Sequence, residues 1–125
     1  MRLRHANLST SDVSALADIF QRFFGFEVQL QRANGFALLR DREDFVLTVM
    51  RRKKNDPDTY PEMFHIGFYC DTADQVRAKH AELVAAGLAP DDVETINRDG
   101  TVTTFYWRPA SGDVLIEVAT PPGHI

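Results

Sequence analysis

The stretch Met63 to Val76, MFHIGFYCDTADQV, decides the fold. Its first part alternates in polarity, which predicts a half-buried strand over Phe64–Cys70, with His65, Gly67 and Tyr69 on one face. Thr72 and Gln75 then form a capping-box pattern, which begins a helix. The stretch is therefore a strand that carries one histidine and runs into a capped helix.

A near copy of this stretch opens the chain at Leu3 to Val13, LRHANLSTSDV, with its histidine at His5. In the strand predicted over residues 2–8, His5 and Asn7 share a face. Internal repeats decide the architecture of a chain, so the remaining elements are placed by comparing the two halves.

Each half continues with a helix and three short strands. In the first half, an apolar stripe from Val13 to Phe24 at helical spacing predicts a helix that Gly25 ends. In the second half, the helix runs from Thr72 to about Ala86, and Gly87 ends it. The other predicted strands are Glu27–Gln31, Phe36–Arg40, Phe45–Met50, Val93–Ile96, Val102–Trp107 and Val114–Ala119.

Both halves thus read β-α-β-β-β, and the charged, proline-containing stretch Arg51–Pro61 is the linker between them. We predict an α+β fold, a single domain over residues 1–125 made of two βαβββ modules at about 1–52 and 62–120. Each module forms a curved mixed sheet with one helix outside, and we expect the two concave faces to enclose a central cleft. The cleft can form within one chain or by exchange between the two chains of a homodimer.

Composition narrows the function. The chain of 125 residues is 44% hydrophobic and carries a net charge of −4, which gives no indication of a nucleic-acid partner. It shows neither an apolar signal core nor a membrane-spanning run, so we expect a cytoplasmic protein without a membrane partner. The single cysteine, Cys70, lies in an apolar alternation and is expected to be a buried structural thiol.

Three residues on the predicted inner faces have the chemistry of a metal site. Glu117 lies inside the aliphatic stretch LIEV, where a carboxylate must be paired, protonated or bound to a metal. His5 and His65 occupy equivalent places in the two halves. Two imidazoles and one carboxylate on rigid strands predict a divalent metal with open coordination positions. Two further histidines, His80 and His124, have no such partners and are expected to be structural or exposed.

Aligning the two halves places Thr48 opposite Glu117, so a symmetric site with a second carboxylate is not expected. Tyr106 alternates with Phe105 and Trp107 and is expected to line the same pocket. The residues expected to form the substrate pocket are Asn7, Thr48, Tyr69, Thr104 and Trp107.

A twofold β-α-β-β-β chain with His5, His65 and Glu117 resembles the vicinal oxygen chelate superfamily. That group includes glyoxalase I, methylmalonyl-CoA epimerase, fosfomycin-resistance transferases, extradiol dioxygenases and bleomycin-resistance proteins. The resemblance covers essentially the whole chain and includes the phrase FFGF at Phe23–Phe26. It implies that the three residues are the metal ligands, on the first, fifth and eighth strands.

The late segment is similar to the extradiol dioxygenase signature, with Thr104-Phe105-Tyr106, then Pro109-x-Ser111-Gly112, then Glu117. By that resemblance Tyr106 positions or protonates a metal-bound substrate. The spacing of the segment is irregular against the signature, and Asn97 and Arg98 stand where those enzymes carry a histidine.

The function that follows is a metal-dependent lyase, isomerase or extradiol-type dioxygenase acting on a small oxygenated molecule, with Fe²⁺, Mn²⁺, Ni²⁺ or Zn²⁺ as cofactor. The alternative is a metal-free protein that sequesters a flat ligand between aromatic side chains, as bleomycin-resistance proteins do. The sequence names neither the substrate nor the metal.

Overall fold

The computed structural model describes residues 1–57, 60–110 and 114–123. It contains eight strands and two helices in the described part of the chain, in the order β-α-β-β-β twice over. Their bounds are β1 His5–Thr10, α1 Val13–Phe23, β2 Glu27–Arg32, β3 Phe36–Arg40, β4 Val46–Arg51, β5 His65–Tyr69, α2 Ala73–Ala85, β6 Glu94–Asn97, β7 Thr101–Trp107 and β8 Leu115–Ala119. The predicted fold class, α+β with two βαβββ repeats, is confirmed.

The chain divides into two compact units. The first comprises Met1–Pro61 with Pro109–Val114, and the second comprises Glu62–Arg108 with Leu115–Ile125. The predicted modules at about 1–52 and 62–120 stay a prediction. The expected central cleft concerns the arrangement of the two units and stays a prediction.

In the first unit, the sheet has the strand order β1-β4-β3-β2, with β1 parallel to β4 and the other pairs antiparallel. Asp12 caps α1 by accepting a hydrogen bond from the backbone N–H of Ala15 at 3.1 Å. Gly25 follows the helix with φ +74°, a conformation that favours glycine. The helix buries its apolar stripe against the sheet: Val13, Leu16, Ala17, Ile19, Phe20 and Phe23.

The second unit repeats this topology in the order β5-β8-β7-β6, with β5 parallel to β8. The predicted capping box is present, since Thr72 accepts from Gln75 N–H and the Gln75 side chain accepts from Thr72 N–H. Gly87 follows α2 with φ +82°. Cys70, which was expected to be buried, is only half-buried, and this burial raises the pKa of its thiol.

The parallel pairs show that the two units are built in the same register. Asn7 pairs with Thr48 in β1 and β4, and Gly67 pairs with Glu117 in β5 and β8. The predicted alignment of Thr48 with Glu117 is therefore confirmed by the hydrogen-bonding pattern.

The predicted strand bounds differ from the observed ones by a few residues at most. The largest shift is in β1, predicted over 2–8, which starts at His5 and continues to Thr10 because its partner β4 runs on to Arg51. Ser111, Gly112 and His124 lie outside the described residues. Neither helix in the described part of the chain has the length and apolar character that a membrane span requires.

Candidate active site

Alternation along the strands of the second unit separates two faces. Ile66, Ile116 and Phe105 point to the side of α2, where the ring of His80 packs edge-on against Phe105 with 5.1 Å between centroids. On the opposite face β5, β8 and β7 carry the polar residues, which we call the carboxylate cluster: His65, Glu117, Thr104 and Tyr106, joined by Arg98 from the turn after β6.

Glu117 is the centre of this cluster. Its side chain belongs to a residue that is only 5% exposed, on a strand whose other residues are buried. The carboxylate oxygen Oε2 accepts a hydrogen bond from Thr104 Oγ1 at 2.7 Å and another from Arg98 Nη1 at 2.9 Å. A buried glutamate here was expected to be paired, protonated or bound to a metal, and in the structure it is paired with a hydroxyl and a guanidinium.

The surroundings of Glu117 keep it ionised. Burial acts to raise the pKa of the carboxyl, but the hydrogen bonds from Thr104 and Arg98, the positive charge of Arg98 and a hydrogen bond from Tyr106 lower it below its ordinary value. The same contact with Glu117 raises the pKa of Arg98. The result is a carboxylate that carries its charge at neutral pH.

His65 approaches the other oxygen of Glu117. Its Nδ1 lies 2.8 Å from the backbone carbonyl of Met63, to which it donates, and its Nε2 lies 3.5 Å from Glu117 Oε1. With Nδ1 as the donor, a neutral imidazole turns the Nε2 lone pair toward the carboxylate oxygen. Two acceptors that face each other in this way attract a cation or a shared proton.

Gly67 leaves the approach to Glu117 Oε1 open. A Cβ atom at this position would lie 3.8 Å from Oε1, an ordinary contact distance, so the glycine side of the oxygen is not filled by a side chain of β5.

Tyr106 lies between the histidine and the arginine. Its ring packs edge-on against His65 with 5.4 Å between centroids, and its hydroxyl accepts a hydrogen bond from Arg98 Nη2 at 3.5 Å. Tyr106 also lines an open groove of about 500 Å³ in the second unit, together with Pro90, Asp91, Asp92 and Glu94. Tyr106 thus borders the groove and contacts both His65 and Arg98 of the carboxylate cluster.

The first unit holds the remaining predicted residues. His5 Nδ1 lies 3.3 Å from the carbonyl of Val46, so this imidazole also has its Nδ1 directed to the backbone. Next to it along β1, Asn7 Oδ1 accepts a hydrogen bond from Thr48 Oγ1 at 2.7 Å. Where the second unit pairs Gly67 with an acid, the first unit thus has a neutral amide and hydroxyl pair.

Two residues of the expected pocket, Tyr69 and Trp107, lie on opposite faces of the sheet. Tyr69 shares a face with His65 and is 65% exposed, so it is available to a ligand. Trp107 is 3% exposed and pairs with Ile116 on the side of α2, opposite to Tyr106. Its expected place in the pocket is corrected, because strand alternation turns neighbouring residues to opposite faces.

Arg98 is a site residue that the sequence did not predict. It stands just after β6, in a turn where Asp99 and Gly100 have φ of +51° and +100°. In the sequence it stands out only as a departure from the dioxygenase signature, and its ion pair with Glu117 joins residues 19 positions apart in the chain. The sequence could have indicated such a residue in one way only, because a buried glutamate requires a positively charged or hydrogen-bonding partner.

The donors in the second unit suit a metal only in part. His65 Nε2 and Glu117 Oε1 are a nitrogen and an oxygen ligand on neighbouring strands, with the other ring nitrogen of His65 held by a carbonyl as metal-binding histidines require. Within the described residues, no group of three or more His, Cys, Asp or Glu side chains is arranged to hold a metal ion. The pair therefore fits two positions of a metal site, and a third ligand must be added.

The fold and this face define a protein of the glyoxalase type, in which two βαβββ units present histidine and glutamate from their strands. The family model described as Glyoxalase/Bleomycin resistance protein/Dioxygenase superfamily matches residues 2–124. The chain belongs to this superfamily, and the resemblance to vicinal oxygen chelate proteins is confirmed.

Solved structures agree with this assignment. A possible glyoxalase from Bacillus cereus is 31% identical, with a TM-score of 0.79, over 94% of this chain and 97% of that one. Two more distant structures show the same fold: lactoylglutathione lyase from Agrobacterium tumefaciens (17% identity, TM-score 0.73, 95% of this chain and 92% of that one) and the fosfomycin resistance protein FosX from Listeria monocytogenes (18% identity, TM-score 0.72, 96% and 90%). No curated protein matches the sequence.

Proposed function

We propose that this chain is a metal-dependent enzyme that binds a small oxygenated substrate on a divalent ion held by His5, His65 and Glu117. The observation that carries the proposal is the pair formed by His65 Nε2 and Glu117 Oε1, 3.5 Å apart, with the other nitrogen of His65 directed to a carbonyl. Such a pair is suited to share one ion. His5 has its Nδ1 directed to the backbone in the same way, which leaves its Nε2 for the third position.

The metal, when bound, would supply a Lewis acid and a template for two oxygens of the substrate. Residues around Glu117 orient this carboxylate and the substrate. Thr104 and Arg98 hold Oε2 of Glu117, so Oε1 has a fixed direction, and the lowered pKa keeps the carboxylate charged. In this proposal Tyr106, which borders the groove and packs against the ring of His65, donates a proton to a substrate oxygen or orients it.

The reaction class is a lyase, an isomerase or an extradiol-type dioxygenase. The likeness to a protein named lactoylglutathione lyase supports the first of these. Fe²⁺, Mn²⁺, Ni²⁺ and Zn²⁺ all accept imidazole and carboxylate ligands, so the donor set does not select among them. We further propose that the protein acts as a homodimer.

The proposal is tested with nitrocatechol, a coloured probe that carries two neighbouring oxygens. We expect the protein reconstituted anaerobically with each metal to shift the absorption of the probe, and a chelator to abolish the shift. The variants His65→Ala and Glu117→Gln should lose the response. His80→Ala should keep it, because His80 lies on α2 against Phe105. A probe that fails to respond to any metal-loaded sample would refute the proposal.

One observation favours a second function, a metal-free ligand-binding protein of the bleomycin-resistance kind. Arg98 already supplies Glu117 with a positive charge at 2.9 Å, so the carboxylate is neutralised without a metal. The groove beside Tyr106 and the exposed ring of Tyr69 would then bind a flat ligand by stacking. Binding of an aromatic probe that chelator treatment leaves unchanged, and that His65→Ala does not weaken, would support this function instead.

A further inference from the structure

We propose that the linker Arg51–Pro61 forms a small-molecule site of its own, which takes a single neutral aromatic ring. The site is a cavity of about 270 Å³ in the first unit, at the end of β1. We call it the linker pocket, and its lining residues are Ser9, Arg52, Asp56, Pro57, Tyr60 and Pro61. It involves none of the residues of the proposed metal site, so the inference goes beyond the proposed function.

Hydrogen bonds fold the linker back onto β1 and hold the pocket open. β1 lies at the edge of its sheet, so part of its backbone N–H groups point away from β4. The N–H of Ser9 is one of these, and it donates to the hydroxyl of Tyr60 at 2.7 Å. At the start of the linker, the N–H of Arg52 donates to the carbonyl of Thr10 at 2.9 Å. The ring of Tyr60 is therefore fixed against the end of β1.

The other walls of the pocket are also restrained. Asp56 closes a turn, since its N–H donates to the carbonyl of Lys53 at 3.0 Å and its carboxylate accepts from the N–H of Lys53 at 2.8 Å. Pro57 and Pro61 have φ fixed by their rings. A site whose walls are set before binding loses little conformational entropy when a ligand enters.

The volume of the linker pocket limits its ligand to one ring. An apolar cavity of about 150 Å³ accepts benzene, whereas pockets for drug-sized molecules measure about 300–1,000 Å³. At about 270 Å³ the linker pocket has room for a ring with a short substituent. A nucleotide or a lipid chain exceeds it.

The chemistry of the walls favours a ring without net charge. Tyr60 offers an aromatic ring for stacking, and Pro57 and Pro61 add apolar surface. Arg52 and Asp56 are the charged residues of the lining, one of each sign, so their charges balance. An ion would lose hydration there without gaining a net opposite charge, while a hydroxyl substituent can hydrogen-bond to either side chain.

The linker pocket is separate from the proposed metal site. Ser9 stands four residues after His5 on β1, a span of about 13 Å at about 3.3 Å per residue. A single ring cannot occupy both places. Binding in the pocket should therefore be measurable without any metal.

The test uses three ligands of one shape, which are benzyl alcohol, benzoate and benzylammonium. We expect benzyl alcohol to shift the amide NMR signal of Ser9 in isotopically labelled protein, and to bind more tightly than either ion. Tyr60→Ala removes an aromatic wall and should weaken binding about 5-fold, as measured by ligand-observed NMR titration. Tyr60→Phe keeps the ring but loses the bond to Ser9, so it should weaken binding by about 3-fold or less.

Ser9→Leu fills the pocket without removing a wall and should abolish binding. Leu30→Ala is the matched control, because Leu30 is an exposed apolar residue on β2 outside the lining, and it should bind as the wild type does. Circular dichroism checks that each variant keeps its fold.

Two results would overturn the site itself. One is a Ser9 signal that none of the three ligands shifts, and the other is binding that both Ser9→Leu and Tyr60→Ala leave unchanged. Tighter binding of benzoate or benzylammonium than of benzyl alcohol would overturn the assignment of a neutral ligand. Since no metal enters the experiment, each of these results leaves the proposed function standing.

Discussion

Removing Arg98 from its ion pair with Glu117 should cost more unfolding free energy than neutralising Glu117. A double-mutant cycle measures this difference. The change is Arg98→Met, made in the wild type and in Glu117→Gln, with both measured free of metal at neutral pH. In the wild type the substitution leaves a carboxylate that is 5% exposed with Thr104 and Tyr106 as its remaining donors. In Glu117→Gln the partner is neutral, so no buried charge is left behind.

The magnitude follows from the exposure of each partner. Removing one partner of a buried pair costs about 3–5 kcal/mol in general. Arg98 is 41% exposed and screened by solvent, so we expect about 2 kcal/mol of unfolding free energy to be lost in the wild-type background. In the Glu117→Gln background the same substitution should cost about 0.5 kcal/mol or less.

Glu117→Gln alone should be mild, costing about 1 kcal/mol or less. The amide oxygen can still accept from Thr104 and Arg98, while its NH₂ group points to the Nε2 of His65 at the place of the former Oε1. Removing the buried charge is therefore less destabilising than removing its exposed partner.

Urea unfolding followed by circular dichroism gives the four free energies of unfolding. The loss expected for Arg98→Met in the wild-type background corresponds to a fall of about 8 °C in its melting temperature. Arg77→Met, made in both backgrounds, controls for loss of an exposed arginine. Equal costs of Arg98→Met in the two backgrounds would refute the reasoning, because its effect would then come from packing of the arginine stem and not from its charge.

Three further predictions concern stability. Because the folded pKa of Glu117 is lowered from its ordinary value of 4.5, its contribution is present above that value and lost as pH falls, so the wild type should lose more unfolding free energy than Glu117→Gln between about pH 6 and pH 3 in urea titrations. Phe20 is fully buried in the first unit, and Phe20→Ala should cost about 3–5 kcal/mol by chemical denaturation, whereas a cost below about 1 kcal/mol would contradict the packing described. Thr72→Ala removes the cap of α2 and should cost about 1 kcal/mol of unfolding free energy. Thr72→Ser keeps the capping hydroxyl, so it should keep most of that stability.

The elements of the fold are local in origin, which is why the sequence predicts them. The capping box at Thr72 and Gln75 and the glycines Gly25 and Gly87 mark helix ends within a few residues of the observed ones. The dipeptide Asn34-Gly35 between β2 and β3 is a hairpin signal, but the left-handed residue of this turn is Ala33, with φ +49°. A hairpin signal locates a turn, while the length of the loop depends on the pairing of β2 with β3.

Strand alternation predicts those residues of the site that lie on strands. The phase of β5 and β8 places His65 and Glu117 on one face, and the structure has them 3.5 Å apart. Arg98 escaped prediction because its contact depends on how a turn folds back over the sheet, which no periodicity encodes. Trp107 was expected in the pocket, although strand alternation already assigns it to the face opposite to Tyr106.

Elemental analysis measures the proposed metal site itself, in which His5, His65 and Glu117 hold one divalent ion. Wild-type protein, reconstituted anaerobically with each metal and freed of excess ion, should retain one ion per chain. His5→Ala, His65→Ala and Glu117→Ala should each retain far less while keeping the circular dichroism of the fold, and His80→Ala should match the wild type. A wild-type protein that retains no metal under any of these conditions would rule out the proposed metal site.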